Sequence, residues 1–275
     1  ITLIVLYIIL MKKRIIITPH NPFDLKTIFR AFLLGIMLFG AMYFQVEGLK
    51  YTSAVNSAFI TAVYIILVPI LSAVILKKKP DKISVAGIAI TTAGLILVCG
   101  VINISFGETI TFTSGFSALN KGDVLTLLCA VIFGFYIISI DSFNKKCDSV
   151  ALSMWHIVFF SVFSALSWIF ITPNAKADFF NPTMIIITLF TSILASGICY
   201  VGLIVIQIGT TPTHAALILS AEPVFGSIFA LIIPDLKGKT EIITISQAIG
   251  AVLILSSIGA VEYISAKKAE TALKQ

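Results

Sequence analysis

The sequence predicts an all-α integral membrane protein. The chain has 275 residues, of which 58% are hydrophobic and only 12% charged, and its mean hydropathy is +1.07. Soluble domains average about 45–50% apolar and about 25% charged residues, so too few charges remain to cover a water-facing surface. The same composition argues against a disordered chain, a disulfide scaffold and a nucleic-acid-binding protein. The hydrophobic runs are continuous and about 20 residues long, which indicates helices rather than transmembrane strands.

The first hydrophobic run covers residues 1–11 and ends at three basic residues, 12–14. A run of this length reaches only about half of a hydrocarbon core roughly 30 Å thick. A signal peptide would carry its positive charge before the run rather than after it. We therefore expect this run to be the end of a spanning helix, with one complete helix before it in a longer protein.

Eight further hydrophobic segments follow, separated by charged residues or by Pro, Asn and Gly. Backbone N–H and C=O groups find no water in lipid, so each segment must satisfy its own hydrogen bonds as a helix. We predict spanning helices at residues 28–46, 52–76, 83–103, 123–141, 150–171, 184–206, 214–233 and 243–264.

Basic residues alternate along the segments between these spans. When every second segment is counted, 14 of the 19 Lys and Arg residues fall on one side, among them Lys77, Lys78 and Lys79 and the C-terminal Lys267 and Lys268. The positive-inside rule places that side in the cytoplasm. The prediction is a multi-pass protein of the cell (inner) membrane with a cytoplasmic C-terminus.

Two stretches of the sequence share one spacing of small residues. Gly87 and Gly94 are seven residues apart, as are Gly250 and Ser257, and each pair follows a long span that contains a proline. The two stretches are separated by five spans, an odd number, so the second copy enters the membrane from the opposite side. Inverted repeats of this kind occur in many secondary transporters. The predicted organisation is a first repeat at residues 1–110, a second at 120–265 and a cytoplasmic tail at 266–275.

Two stretches resemble the last two helices of EamA-type transporters, in the drug/metabolite transporter superfamily. They are residues 212–225, which contain the pair Glu222-Pro223, and residues 247–250, which open the next helix. Residues 48–59 are similar to the matching helix of the first repeat. The resemblance implies ten helices in two inverted five-helix repeats, of which this chain lacks the first helix and most of the second. It also implies a secondary transporter that moves a small organic metabolite, such as an amino acid or related compound, most often outwards, by alternating access.

Glu222 is the main candidate for a transport site. It lies near the middle of its predicted span, where a charge costs about 2.5–3.5 kcal/mol on insertion scales and normally faces a cavity or a partner. Pro223 frees a backbone carbonyl one turn earlier and is predicted to kink the helix, as is Pro69 in the first repeat. We expect Glu222 to bind a cationic group or a coupling proton. The alternative is a protonated side chain that is hydrogen-bonded to a neighbouring helix.

Four further polar residues at membrane depth are candidates for binding solute or proton. His156 carries the side chain best suited to reversible protonation near neutral pH. Asn56 and Tyr64 lie on the long helix of the first repeat, and Tyr64 falls roughly opposite Glu222 when the two long helices are aligned. Gln207 closes a later span. The alternatives are hydrogen-bonded packing for a lone histidine and interfacial anchoring for a tyrosine.

Several other polar residues receive structural interpretations. His214 stands at a helix entrance, where capping suits it better than transport. Asp141 and Glu262 lie at helix ends, where interfacial pairing explains them. The four cysteines show no CxxC spacing and no histidine partner at metal-ligand distance. We expect three of them to be core residues and Cys147 to be a free thiol.

Three other classes of function are less well supported. A membrane-embedded enzyme would carry a motif such as HExxH, paired aspartates or GxSxG, and the sequence contains none of these and no ATP-binding GxxxxGK[ST] motif. A channel would show rings of charge or a carbonyl filter loop, and a non-transporting sensor or scaffold is the remaining alternative. No motif in the sequence predicts a cofactor or a metal. The expected partners are a small-molecule solute and the lipid bilayer, not nucleic acid, and a homodimer is compatible with these features.

Overall fold

The structure is a computed structural model that describes residues 23–103, 111–112, 120–171, 181–232 and 244–273. The predicted half-helix at 1–11 lies outside these residues. The helices are α1 (Leu25–Gly48), α2 (Ala54–Thr61), α3 (Tyr64–Ile75), α4 (Lys82–Val98), α5 (Lys121–Asn144), α6 (Ser149–Ile171), α7 (Pro182–Phe190), α8 (Val201–Ile206), α9 (Pro212–Leu219), α10 (Glu222–Ile232) and α11 (Ile245–Leu273).

The remaining elements are short. A π-helical stretch, Thr191–Tyr200, joins α7 to α8, and a 3-10 turn, Gln207–Gly209, follows α8. Two strands of two residues each, β1 (Ile102–Asn103) and β2 (Thr111–Phe112), pair antiparallel between α4 and α5.

Helices occupy all eight predicted spans, so the all-α membrane fold is confirmed. In the described part of the chain, five helices are long and apolar enough to cross a membrane, judged by length and composition. They are Leu25–Gly48, Asn56–Ile75, Lys121–Asn144, Ser149–Ile171 and Ile245–Lys268. The second of these counts most of α2 and all of α3 as one helix across the two residues between them. Shorter apolar helices lie at Lys82–Val98 and Pro182–Ile193.

Two spans that we predicted as continuous are interrupted. The span 52–76 is divided into α2 and α3, and the span 214–233 into α9 and α10. At both interruptions some backbone N–H groups bond the carbonyl three residues back instead of four. Examples are Val63 to Ile60, at 3.1 Å, and Ala221 to Ile218, at 3.1 Å. Such 3-10 geometry tightens the chain and ends the regular α-helical ladder.

The chain divides into two compact units. The first comprises Ile1–Ala41 and Phe135–Thr211, and the second comprises Met42–Gly134 and Pro212–Gln275. These units are groups of helices that contact each other rather than sequence repeats. The predicted repeats at 1–110 and 120–265 therefore stay a prediction.

In the first unit, α1 packs closely on α6. The ring centroids of Phe32 and Phe159 lie 5.5 Å apart in an edge-on arrangement. Gly35 allows this approach, because a Cβ atom there would lie 2.7 Å from the Cβ of Phe159. At the start of α1, the Arg30 guanidinium donates to the carbonyl of Lys146 at 2.9 Å, which ties α1 to the turn after α5.

In the second unit, α4 and α11 pack antiparallel through small residues. The Ser257 hydroxyl donates to the Gly87 carbonyl at 2.9 Å, and the Thr91 hydroxyl donates to Ser257 Oγ at 3.2 Å. A Cβ atom on Gly94 would lie 2.8 Å from the carbonyl oxygen of Gly250. The two stretches that share one spacing in the sequence therefore contact each other.

A second close contact in this unit joins the end of α1 to the start of α5. The Thr52 hydroxyl donates to the Asp123 carboxylate at 2.6 Å. The side chain of Asn120 accepts from the amide of Asp123 at 2.9 Å, and the Asp123 carboxylate accepts from the amide of Asn120 at 3.1 Å. This reciprocal cap resembles a capping box and satisfies two free amides at the start of α5. A Cβ on Gly122 would lie 2.6 Å from the Gly48 carbonyl, so only glycine fits there.

Candidate functional site

The two interrupted helices lie in the second unit and have the same layout. α2 and α9 each contain eight residues. Two residues outside the helix follow in each case, and the next helix begins at Tyr64 in one and at Glu222 in the other. Tyr64 and Glu222 therefore occupy matching positions in the two helix pairs. This is the same pairing that alignment of the two helices in sequence predicts.

Glu222 and Tyr64 form the centre of the candidate site. Each of them begins the second helix of an interrupted pair. Tyr64 is only 5% exposed, and its ring packs edge-on against Phe133 with centroids 5.2 Å apart. The Glu222 side chain is exposed. The site thus combines an accessible carboxylate with a buried phenol held by an aromatic wall.

The local sequence starts a new helix at Glu222. An acidic side chain in the first turn is favoured by the helix dipole by about 0.3–1 kcal/mol. Proline suits the start of a helix because its missing N–H would have no partner there. The Ser227 hydroxyl donates to the Pro223 carbonyl at 2.8 Å, within the new helix. Pro223 thus lies at a helix start, whereas Pro69 is buried inside α3, which continues through it.

Asn56 lies in the first turn of α2, roughly two turns before the interruption. Its backbone N–H donates to the Ser53 hydroxyl at 3.1 Å, which caps the helix, and its side chain is half-buried. Nearer the interruption, Gln45 Nε2 donates to Thr61 Oγ1 at 3.4 Å. Gln45 and Thr61 are therefore two polar side chains of this unit that lie next to the break before Tyr64.

His156 belongs to the first unit and is fully buried, with 0% exposure. Its Nδ1 lies 2.9 Å from the Ser153 carbonyl oxygen, which can only accept, so Nδ1 carries a proton. Its Nε2 lies 3.1 Å from the Tyr136 hydroxyl. A neutral imidazole that donates from Nδ1 and accepts the Tyr136 hydroxyl at Nε2 satisfies both contacts. This geometry favours the packing interpretation of His156 over a transport role.

Gln207 is also buried in the first unit, at 1% exposure. Its Nε2 donates to the Ile137 carbonyl at 2.8 Å. Nearby, Asn144 Nδ2 donates to the Ile204 carbonyl at 2.7 Å. The two bonds tie the last two turns of α5 to the end of α8 and to the 3-10 turn that follows it. The amide oxygens of Gln207 and Asn144 are buried and meet no hydrogen-bond donor among the described residues.

The five predicted site residues are thus divided between the units. Glu222, Tyr64 and Asn56 belong to the second unit, and His156 and Gln207 to the first. No sequence pattern indicates that Phe133 packs on Tyr64, because the two rings belong to different helices. Among the described residues, no group of three or more His, Cys, Asp or Glu side chains could hold a metal ion.

A polar network that no sequence pattern indicates joins the ends of three helices in the second unit. Lys268 Nζ lies 3.6 Å from Asp81 Oδ2, and the Ser84 hydroxyl donates to the Asp81 carboxylate. Ser84 Oγ lies 3.3 Å from His214 Nε2, and His214 Nδ1 lies 2.9 Å from Glu262 Oε1. We call these five side chains the terminal network. It connects the start of α4, the start of α9 and the later turns of α11.

Asp81 anchors the terminal network as the cap of α4. The Ser84 backbone amide donates to its carboxylate at 3.0 Å. The hydroxyl of Ser84 holds the pKa of Asp81 below its usual value, with smaller contributions in the same direction from the Ser84 amide and from Lys268. Asp81 is therefore an ionised group that only accepts hydrogen bonds. The interpretation of His214 as a simple cap is incomplete, since its imidazole also contacts a carboxylate 48 residues away.

Comparisons with known proteins identify the family. The model of the EamA-like transporter family matches residues 1–100 and 120–262. A protein of Archaeoglobus fulgidus, named an uncharacterized transporter, is 32% identical over 227 residues, which are 82% of this chain and 66% of that protein. A second protein of the same organism, with the same description, is 26% identical over 226 residues, 82% of this chain and 72% of its own. The chain thus spans about two thirds of the length of these relatives.

Two further similarities concern either a part of the chain or the fold alone. The uncharacterized transporter YyaM of Bacillus subtilis is 35% identical over 100 residues, which are 36% of this chain and 32% of that protein. A solved crystal structure superposes with a TM-score of 0.65 at 16% identity, covering 86% of this chain and 88% of the other. That likeness shows a shared fold. With the family model matching most of its residues in two long blocks, the chain belongs to the EamA-like transporter family.

Proposed function

We propose that the protein is a secondary transporter of the cell (inner) membrane that moves a small organic metabolite by alternating access. An amino acid or a related compound is the solute class we propose, and efflux the direction. Membership of the EamA-like family and the transporter names of the relatives support transport. The observation that carries the proposal is Glu222, an exposed carboxylate at the start of a helix inside an interrupted span.

Interrupted helices support a binding site at this place. In many secondary transporters, substrate and coupling ions bind near the bilayer midplane, where helices are discontinuous and their half-helix ends point at the ligand. Such an end is irregular backbone, which membrane proteins tolerate only where it lines a cavity or is buried in protein. The second unit has two such interruptions, with Tyr64 after one and Glu222 after the other.

Glu222 is the group that we assign to coupling. A carboxylate at membrane depth is costly unless it meets water, a proton or a cation. We propose that it exchanges a coupling proton or holds the cationic group of the solute, with Tyr64 beside it. Facilitated exchange without coupling is the alternative mechanism.

The charge pattern supports a cytoplasmic C-terminus. The positive-inside rule assigns the loop 77–82 and the C-terminal tail to the cytoplasmic side. The alternation of the predicted spans puts the link 207–213, which has no Lys or Arg, on that side as well. Residues at or next to these segments, Asp81, His214 and Lys268, belong to the terminal network in one unit of the structure. Helix ends that contact each other must lie on the same side of the membrane.

Flux in proteoliposomes that contain the full-length parent protein tests the function. Labelled amino acids and related metabolites are supplied with and without a pH gradient. The wild type is compared with Glu222→Gln, and Glu270→Gln is the matched surface control. We expect saturable flux of one solute, and we expect its response to the gradient to be lost in Glu222→Gln alone.

Other outcomes separate the alternatives. Saturable flux that is identical in Glu222→Gln would keep the transporter and remove Glu222 from coupling. Absence of flux for every solute, from protein shown to be folded, would contradict the proposal and favour a sensor or scaffold.

A further inference from the structure

An apolar groove that also contains two basic residues lies at the start of α1 in the first unit. Its volume is about 670 Å³, within the range of sites that bind small molecules. Phe29 and Phe32 of α1 and Phe159 of α6 contribute aromatic rings to its lining. Lys26 and Arg30 line it as well, and none of the described residues that line it is acidic. The groove thus combines an apolar wall with two positive charges.

Aromatic packing holds the wall of the groove in place. The ring centroid of Phe32 lies 5.5 Å from that of Phe159 and 6.4 Å from that of Phe29. Trp155, one turn before Phe159 on α6, packs against the Phe159 ring with centroids 6.2 Å apart. Phe29 is nevertheless 60% exposed. The wall is therefore preformed and presents apolar surface to its surroundings.

The two basic residues are placed to act together. Lys26 and Arg30 are four residues apart on α1, so they project from the same face of the helix. Lys26 is exposed and Arg30 is half-buried. Arg30 is held by the bond that its Nη1 donates to the Lys146 carbonyl at 2.9 Å. An ammonium and a planar guanidinium are the two groups with which proteins bind phosphate.

Three acidic residues lie near this end of the unit, and none of them lines the groove. Asp141 pairs with Lys145 at 3.0 Å. Asp148 accepts from the Ala151 amide at 2.7 Å, near the start of α6. Asp24 directly precedes α1, where a negative charge complements the positive end of the helix dipole. The groove itself therefore favours an anionic ligand.

The charge pattern places the groove at a membrane surface. Lys26 and Arg30 lie where the predicted span 28–46 begins, in the segment 12–30, which contains five Lys and Arg residues. The positive-inside rule assigns that segment to the cytoplasmic side. The cytoplasmic leaflet carries anionic lipids, and basic pockets between membrane helices on that side bind lipid head groups.

We propose that the groove between α1 and α6 binds an anionic phospholipid. Its phosphate contacts Lys26 and Arg30, and one acyl chain lies along the wall formed by Phe29, Phe32 and Phe159. The proposal goes beyond the proposed function: it uses the proposed orientation of the chain but not transport. Lipid binding is measured without any solute, so a failure of flux and a failure of lipid binding are separate results.

Tryptophan fluorescence tests the proposal. The chain contains two tryptophans, Trp155 next to Phe159 and Trp168 about 20 Å further along α6. Trp168→Phe leaves Trp155 as the reporter, and any tryptophan of the full-length protein outside these 275 residues is changed to phenylalanine as well. The protein is placed in phosphatidylcholine bilayers that contain either phosphatidylglycerol or phosphatidylcholine brominated near the head of its acyl chains. Bromine quenches the tryptophans that it contacts, so the ratio of the two quenching constants measures the preference for the anionic lipid.

We expect at least a 5-fold preference for brominated phosphatidylglycerol at Trp155. One basic residue near the membrane surface contributes about 1 kcal/mol, which is about 5-fold in affinity. Lys26→Gln should therefore lower the preference by about that factor, and Lys26→Arg should keep it. Lys267→Gln, which removes an exposed charge from α11, is the matched control and should equal the wild type. Trp155→Phe, which leaves Trp168 as the reporter, should show no preference.

Three results would overturn the proposal. Equal quenching of Trp155 by the two brominated lipids would mean that the groove holds lipid without recognition of its charge. Absence of quenching by either lipid would mean that another part of the protein covers the groove. A preference that persists unchanged in Lys26→Gln would place the anionic lipid elsewhere on the protein.

Discussion

Tyr64 shows what a single residue contributes to the candidate site. It begins α3, as Glu222 begins α10, and its ring packs against Phe133. The ring and the hydroxyl can be separated by mutation. Removal of the hydroxyl leaves the ring packing intact, so the effect on the site can be measured without loss of the fold.

Tyr64→Phe should weaken solute binding and leave stability nearly unchanged. Loss of one hydrogen bond of about 0.5–1.5 kcal/mol corresponds to a rise in KM of roughly 2- to 10-fold. The measurement is concentration-dependent flux of the full-length protein, with Tyr263→Phe as the control because that tyrosine is 69% exposed on α11. An unchanged KM in Tyr64→Phe, beside impaired flux in Glu222→Gln, would show that the phenol does not contact the solute.

Individual residues were predictable from sequence to different degrees. Glu222 could be singled out because a carboxylate inside a hydrophobic run is costly. Phe133, which packs on Tyr64, could not, since it lies on another helix and looks like an ordinary core residue in sequence. For His214, the sequence indicates a capping position at a helix entrance, but its partners lie up to 130 residues away along the chain.

At the scale of helices, the sequence predicts the positions of the spans but not their internal breaks. A run such as 52–76 is apolar throughout, and hydropathy cannot distinguish one long helix from two shorter ones. Pro223 gives a local reason for one break, because it has no N–H to bond the carbonyl of Leu219. The break at Ala62 and Val63 has no proline next to it, and we find no signal for it in the local sequence.

The contact between α4 and α11 predicts a position-dependent effect of glycine substitutions. A Cβ on Gly250 would lie 2.5 Å from the Gly94 carbonyl oxygen and 2.9 Å from the Leu97 Cβ, and both atoms are fixed close to the backbone. We expect Gly250→Ala to lower stability by about 1–3 kcal/mol, the usual cost of overpacking. The measurement is thermal unfolding in one detergent.

Gly259 provides the control on the same helix. A Cβ there meets no atom within 4 Å, so Gly259→Ala should be neutral or should stabilise by up to about 1 kcal/mol, since alanine favours a helix more than glycine does. Equal unfolding midpoints for Gly250→Ala and Gly259→Ala would contradict the close packing of α4 on α11.

At the scale of the whole molecule, the charge pattern makes a prediction about sidedness. Single cysteines introduced as Lys50→Cys or Lys78→Cys, with the native cysteines changed to serine, can be probed in intact cells with a membrane-impermeant maleimide. Because the positive-inside rule assigns residue 78 to the cytoplasm and residue 50 to the other side, we expect labelling of Lys50→Cys at once and of Lys78→Cys only after permeabilisation. Immediate labelling of Lys78→Cys would reverse the proposed orientation.

The antiparallel contact of α4 with α11 has a symmetry that bears on how such a chain can arise. Gly87 faces Ser257 and Gly94 faces Gly250, so each helix presents the same small-residue spacing to the other. The same spacing on both sides is the pattern that an isologous interface has, in which one surface meets a second copy of itself across a two-fold axis. A half-length chain with one such helix could associate with a second copy of itself through the same surface, and fusion of two copies into one gene would keep the contact without any new complementary residue.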